Sequence, residues 1–375
     1  MELAGLFLVV LFLAYVNGGN DNFKACATVY ASKTLSYRSS LALATAAQVS
    51  GSVASVFLAG KLLTAFSGKG LVPDAIVADP QFLLAVGIGG AITIALATLV
   101  GLPVSTTHAL IGGLIGSGFA FAPGQVVWSN LGGSYFTPLL LSPVLAVLTT
   151  AILYPLVSRS RKALGVEPST CVCVAVETGG VLETPEGIQM LHRSVTGLTV
   201  RSQTHCDCTV GYNGSMLGVS AQQIVDTLHI GSAFSMGFAR GLNDTPKVLG
   251  ILLAAGYLVG ATGTGVLVLV AVAMAIGGLL HSRPLARTMG ERITTMNHGQ
   301  GLLANAVSSS MVIGASVFGV PVSTTHVSTG AIFGIGAWTG TTNWKMVSGI
   351  IGAWIITLPL GALIAFGIAR AIASV

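Results

Sequence analysis

Residues 3–16, 40–59, 82–100, 137–154, 263–280 and 350–369 carry no charged side chain. Each run approaches or reaches the roughly 20 residues that a helix needs to cross the hydrocarbon core of a bilayer. Lipid offers no partner to a backbone amide, so only helices or a closed barrel span it. The runs lack the period-two alternation of barrel strands. The chain is therefore expected to be an all-α polytopic membrane protein, in keeping with 53% apolar and only 8% charged residues. The first run has no basic segment ahead of it, Glu2 being its only early charge, and reads as a retained span rather than a cleaved leader. The net charge of +5 fits Lys and Arg held in cytoplasmic loops, and requires no nucleic-acid partner.

Two motifs recur. Pro103-Val104-Ser105-Thr106-Thr107-His108 returns residue for residue as Pro321-Val322-Ser323-Thr324-Thr325-His326, 218 positions later. Asn20-Asp21-Asn22-Phe23-Lys24 returns as Asn243-Asp244-Thr245-Pro246-Lys247, 223 positions later. The same order at nearly the same separation marks a duplication. It divides the chain into a first transmembrane repeat (1–160), an insert (161–221) and a second transmembrane repeat (222–375), with about five spans per repeat and 10–12 helices in all. Basic clusters at Arg159, Arg161 and Lys162, and at Arg283, Arg287 and Arg292, assign both junctions to the cytoplasm. An even number of crossings must then separate them. This holds if 226–260 is one long passage broken at Asn243-Asp244, and 3–35 another broken at Asn20-Asp21. The repeats come out inverted, with the N- and C-termini outside, an arrangement that places a binding site between repeats near the midplane. The segments around each Ser-Thr-Thr-His read as two full spans or as a re-entrant hairpin.

Carboxylates in apolar helices are costly without a partner. Asp21 and Asp244 are either ion-paired to Lys24 and Lys247 or, together with Asn20, Asn243 and carbonyls freed by a helix break, ligands for sodium, a hard cation that prefers oxygen. In the second case Lys24 and Lys247 face an anion or snorkel toward headgroups. Ser105, Thr106, Thr107 and Ser323, Thr324, Thr325 each follow a proline and open an apolar run, the pattern of a helix N-terminus. Such an end offers free N–H groups, a positive dipole and hydroxyls, which together suit a tetrahedral oxyanion. His108 and His326 are assigned to packing or hydrogen bonding, with proton coupling left open. Gln48, Asn305 and Ser308–Ser310 either line a path or bond helix to helix. The insert holds Cys171, Cys173, Cys206 and Cys208 in a polar, strand-like sequence; free thiols are expected there rather than a metal site or disulfides. No metal beyond sodium and no organic cofactor is expected.

The paired Asn-Asp motifs and the duplicated Pro-Val-Ser-Thr-Thr-His closely resemble the inorganic phosphate transporter (PiT) family of sodium- or proton-coupled phosphate symporters. The resemblance covers both repeats, and the family motif falls on Gly19, Asn20 and Asp21 and on Gly241, Asn243 and Asp244. Gly19 and Leu242 stand where the commonest form has Ala, and Lys24 and Lys247 follow. The resemblance implies a homodimer in the cell membrane that imports phosphate with sodium by secondary active symport. Rival readings are a proton-coupled phosphate or sulfate permease and an anion channel. An enzyme is not expected: there is no Walker-type phosphate loop, and no nucleophile and base at usable spacing beyond the Ser and His of the tips.

Overall fold

The computed structural model describes residues 2–163, 215–216, 219–256, 260–289, 293 and 296–374. In the first half, α1 (Glu2–Asp21) runs into a 3-10 turn (Asn22–Cys26) and α2 (Ala27–Ala31), followed by α3 (Tyr37–Leu58). Short α4 (Gly60–Ala65) and α5 (Asp74–Val77) lead to α6 (Pro80–Leu99), α7 (Thr106–Phe121), α8 (Trp128–Asn130) and α9 (Thr137–Ala163). In the second half, α10 (Ala221–Ala254), α11 (Gly260–His281), α12 (Arg283–Arg287), α13 (His298–Phe318), α14 (Thr324–Thr339) and α15 (Trp344–Ala373) follow in turn. A two-residue hairpin, Ser215–Met216 against Val219–Ser220, precedes α10. The four insert cysteines lie outside the described residues.

Among the described residues, seven helical segments are long and apolar enough to cross a membrane: Ala4–Ala31, Tyr37–Leu58, Pro80–Leu99, Trp128–Ala163, Gly263–His281, His298–Phe318 and Trp344–Ala373. This number is lower than the 10–12 expected, for two reasons. Helix α10 has the length but carries Asp226, Arg240, Asp244 and Lys247. Helices α7 and α14 have 16 residues each, about 24 Å of helix, short of the ~30 Å core. Apolar side chains point outward, with Phe57 81%, Leu140 70% and Leu363 70% exposed, while Asp21, Lys24, Arg240, Asp244 and Lys247 are buried. That inversion of the soluble pattern fits a lipid surround.

The duplication is visible in the packing. Helix α1 lies on α11 as α10 lies on α3; α7 lies on α15 as α14 lies on α9; α1 lies on α6 as α10 lies on α13. Each contact thus has a counterpart with the halves exchanged. Glycine sets how closely these pairs approach. A Cβ at Gly116 would stand 2.0 Å from the Ala362 carbonyl oxygen, and one at Gly334, the equivalent position, 2.1 Å from Thr150 Oγ1. Without a hydrophobic force between helices in lipid, such close backbone approach supplies the association energy.

One sequence expectation is corrected. The first passage does break, in a 3-10 turn beginning at Asn22, but α10 continues unbroken through Asn243-Asp244 to Ala254. Pro246 removes the N–H that would bond the Leu242 carbonyl and crowds that carbonyl with its ring, yet α10, buried from Ala239 to Leu252, carries on through it.

Gly116→Ala is expected to lower the thermal midpoint of the purified protein in detergent, since overpacking a tight contact costs about 1–3 kcal/mol. Gly367→Ala, where a Cβ meets nothing within 4 Å, should leave the midpoint unchanged or raise it slightly. Equal midpoints for the two variants would show that the α7–α15 contact does not set stability.

Candidate functional site

The two Pro-Val-Ser-Thr-Thr-His segments meet inside the protein. Each begins a helix as the sequence predicts: Ser105 caps α7 by accepting from the His108 N–H, and Ser323 caps α14 by accepting from the His326 N–H, both at 3.2 Å. The remaining free N–H groups of both helices therefore open toward one region, with the positive dipole ends together. Cross-tip bonds join them. Thr325 Oγ1 donates to the Val104 carbonyl at 2.8 Å, and Thr107 Oγ1 to the Val322 carbonyl at 3.2 Å. The His108 and His326 rings pack at a 47° tilt with centroids 4.6 Å apart, and Trp354 packs on His326 at 4.0 Å and a 33° tilt. His108 Nδ1 and both His326 ring nitrogens have no hydrogen-bond partner among the described residues. Packing is thus the role seen for this pair.

The Asn-Asp motifs lie against these tips. Lys24 Nζ donates to Asp21 Oδ1, to Asn20 Oδ1 at 2.9 Å, to the Val104 carbonyl at 2.9 Å and to Thr325 Oγ1 at 2.6 Å. Asn20 Nδ2 in turn donates to Thr98 Oγ1 and the Leu102 carbonyl at 3.0 and 3.1 Å, which moors the approach to the first tip. In the second half, Lys247 Nζ donates to Asp244 Oδ1 at 3.1 Å and to the Val322 carbonyl at 2.9 Å, with the Phe66 ring 5.8 Å away. Lysine in both motifs thus reaches the carboxylate three residues back and the valine carbonyl of a tip.

These contacts realise the ion-paired reading of Asp21 and Asp244. Neither lysine snorkels, at 3% and 1% exposure, because a membrane-buried carboxylate is a stronger partner than distant headgroups. Of the tip hydroxyls, Thr106 Oγ1 donates to Asp21 Oδ2 at 3.3 Å and accepts from Asn17 Nδ2 at 2.6 Å. Thr324 is buried beside its neighbours. Gln48 and Asn305 bond within or between helices: Gln48 Nε2 donates to Ser52 Oγ at 2.7 Å, and Asn305 Nδ2 to Thr28 Oγ1 at 2.7 Å. Ser308, Ser309 and Ser310 donate to carbonyls of their own helix.

Arg240 and Asn17 escaped the sequence reading. Arg240, 1% exposed, donates through Nη1 to Asn22 Oδ1 at 3.1 Å and through Nη2 to Asn17 Oδ1 at 3.2 Å. Its Nε lies 3.6 Å from Asp244 Oδ2. A signal was available: Arg240 precedes Asp244 by one helical turn, and it is separated from Asn17 by the 223 positions that separate the two Asp residues. The cluster holds Lys24, Lys247 and Arg240 against Asp21 and Asp244, an excess of one positive charge, at the meeting point of two helix N-termini. Anions are favoured there.

A cavity of about 510 Å³, lined by Lys69, Asn130, Ser134, Tyr135, Val320 and Pro321 among others, reaches the first residue of the second tip.

Comparison with known proteins bears on the family and the fold. The phosphate transporter family matches residues 17–365. A "probable low-affinity inorganic phosphate transporter" of Mycobacterium tuberculosis (strain H37Rv) is 29% identical over 96% of this chain and 75% of its own length. One of the same description from Rhizobium meliloti is 29% identical over 96% and 94%. Among solved structures, "The sodium-dependent phosphate transporter" shares the fold with a TM-score of 0.76 at 19% identity, covering 100% of this chain and 99% of that one. The chain is a multi-pass membrane transporter and not an enzyme, and it belongs to the phosphate transporter family.

Proposed function

We propose that this chain imports inorganic phosphate by secondary active symport with sodium, the anion binding between the Ser-Thr-Thr tips. The observation that carries the reading is the convergence of two capped helix N-termini with three buried cations against two buried carboxylates. A tetrahedral oxyanion has enough acceptor oxygens to replace the cross-tip bonds of Thr107 and Thr325 and to receive Lys24, Lys247 and Arg240. Preorganised donors of this kind bind an anion strongly in a site shielded from water.

The two halves act as inverted repeats that rock against each other about this centre, with the termini outside and the chain paired as a homodimer in the cell membrane. Sodium as the carried cation is supported by the name of the structural neighbour and by Asp244 Oδ2, a buried carboxylate oxygen that accepts no hydrogen bond among the described residues, Arg240 Nε standing 3.6 Å away. A cation bound beside the anion offsets its charge, so each favours the other. One net charge moving inward with about 100 mV contributes roughly 2.3 kcal/mol. A proton-coupled carrier is the second reading, favoured by the lysines already paired to both carboxylates.

Uptake of labelled phosphate into proteoliposomes is expected to saturate, to require an inward sodium gradient, and to resist excess sulfate. Uptake that ignores sodium and follows a proton gradient would replace the cation, and displacement by equimolar sulfate would replace the anion. Current without saturation would indicate a channel.

Asp21→Asn and Asp244→Asn should each abolish uptake and lower the thermal midpoint, because removing one partner of a buried pair costs about 3–5 kcal/mol. Thr107→Val and Thr325→Val should each weaken phosphate binding about tenfold, from the loss of one hydrogen bond to a charged partner. Isothermal titration of the purified variants with phosphate checks this; unchanged affinity in both would remove the tips from the site.

A further inference from the structure

The two halves repeat the Asn-Asp-x-x-Lys motif but surround the lysine differently. Four oxygens surround Lys24 Nζ: the Asp21 carboxylate, the Asn20 amide, the Val104 carbonyl and the Thr325 hydroxyl, the last three at 2.6–2.9 Å. They come from α1, the first tip and the second tip. An ammonium has three N–H donors, so the nest offers one acceptor more than the group has protons. A carboxylate, an amide oxygen, a carbonyl and a hydroxyl converging on one point also form the ligand set of a hard monovalent cation.

Lys247 Nζ has only the Asp244 carboxylate and the Val322 carbonyl among the described residues, with an aromatic ring on a further side. Asn243 is turned the other way. Its Nδ2 donates to Asp244 Oδ1 at 3.2 Å, while its Oδ1 accepts from Ser316 at 3.1 Å. Asp244 Oδ2 is buried without a hydrogen-bond donor among the described residues. The first nest is therefore closed around its lysine, and the second keeps one carboxylate oxygen that accepts no hydrogen bond among the described residues and faces Arg240 Nε at 3.6 Å.

We propose that the Lys24 ammonium is a tethered cation that occupies the first motif's cation position permanently, which confines the carried sodium to the second motif. Lys24 is then the residue that sets how many ions accompany each anion. It also ties the two tips together, because its nest includes an oxygen from each. This inference rests on the sodium-coupled reading above and deepens it.

The test uses the full chain, native and with Lys24→Ala or Lys24→Met. Alanine opens the nest while leaving its oxygens; methionine fills it without charge. Phosphate uptake into proteoliposomes is measured against sodium concentration, and thermal midpoints in detergent are compared in sodium chloride and choline chloride. The native chain should respond to sodium with a Hill coefficient of about one, and Lys24→Ala with one approaching about two. The sodium-specific rise in midpoint should be larger for Lys24→Ala than for the native chain, and no larger for Lys24→Met. An unchanged Hill coefficient in Lys24→Ala would overturn the proposal. So would loss of uptake with no added sodium-specific stabilisation, which would make Lys24 an anion ligand only. If the native chain takes up no phosphate at all, the proposed function fails on its own, and the midpoint comparison still decides the role of Lys24.

Discussion

A carboxylate buried among membrane helices needs a compensating charge, and the centre of this transporter is arranged around two of them. Asp21 and Asp244 lie in α1 and α10, and each is paired to the lysine three residues on. Those lysines in turn hold the valine carbonyls of the two tips. Remove the carboxylates and the lysines are stranded in a low-dielectric interior, where an unpaired charge is worth several kcal/mol of instability. Remove the lysines and the tips lose their moorings. The charges thus fix where the tips sit, and the tips fix where an anion is favoured.

The close packing of the helices stems from the same duplication. Short helices such as α7 and α14 do not reach across a bilayer, so they are held by neighbours on all sides rather than by lipid. Glycines at equivalent positions, Gly116 and Gly334, let α15 and α9 approach within backbone contact. Each half thereby completes the other: the Thr325 hydroxyl of the second half reaches the Val104 carbonyl of the first, and Thr107 does the reverse. In the transport cycle proposed above, a site assembled from both halves would open by moving one against the other.

Much of this was legible in the sequence because it is local. Apolar runs gave the helical class, the repeated Pro-Val-Ser-Thr-Thr-His gave the duplication, and Ser105 and Ser323 marked helix starts through ordinary capping chemistry. The features that escaped depended on three dimensions. Arg240 is marked only by its place one turn before Asp244, and its partners Asn17 and Asn22 arrive from the other half. The choice between ion pair and free lysine at Asn-Asp-x-x-Lys turns on whether a tip carbonyl stands within reach, which spacing along one helix does not encode. Helix α10 stays continuous through its motif while α1 gives way to a 3-10 turn, although both motifs share the same Asn-Asp. The residues after the shared Asn-Asp do not explain the difference, since Pro246 by itself disfavours a continuous helix.

The central claim, that the anion is held between the two tips by the buried cations, is tested most directly with arsenate, which shares the tetrahedral shape and charge of phosphate and scatters X-rays anomalously. Anomalous difference density from crystals grown with arsenate is predicted to peak between Thr107 and Thr325, within hydrogen-bonding reach of Lys24 or Lys247. A peak confined to the cavity beside Lys69, Asn130 and Ser134, with none between the tips, would contradict the account.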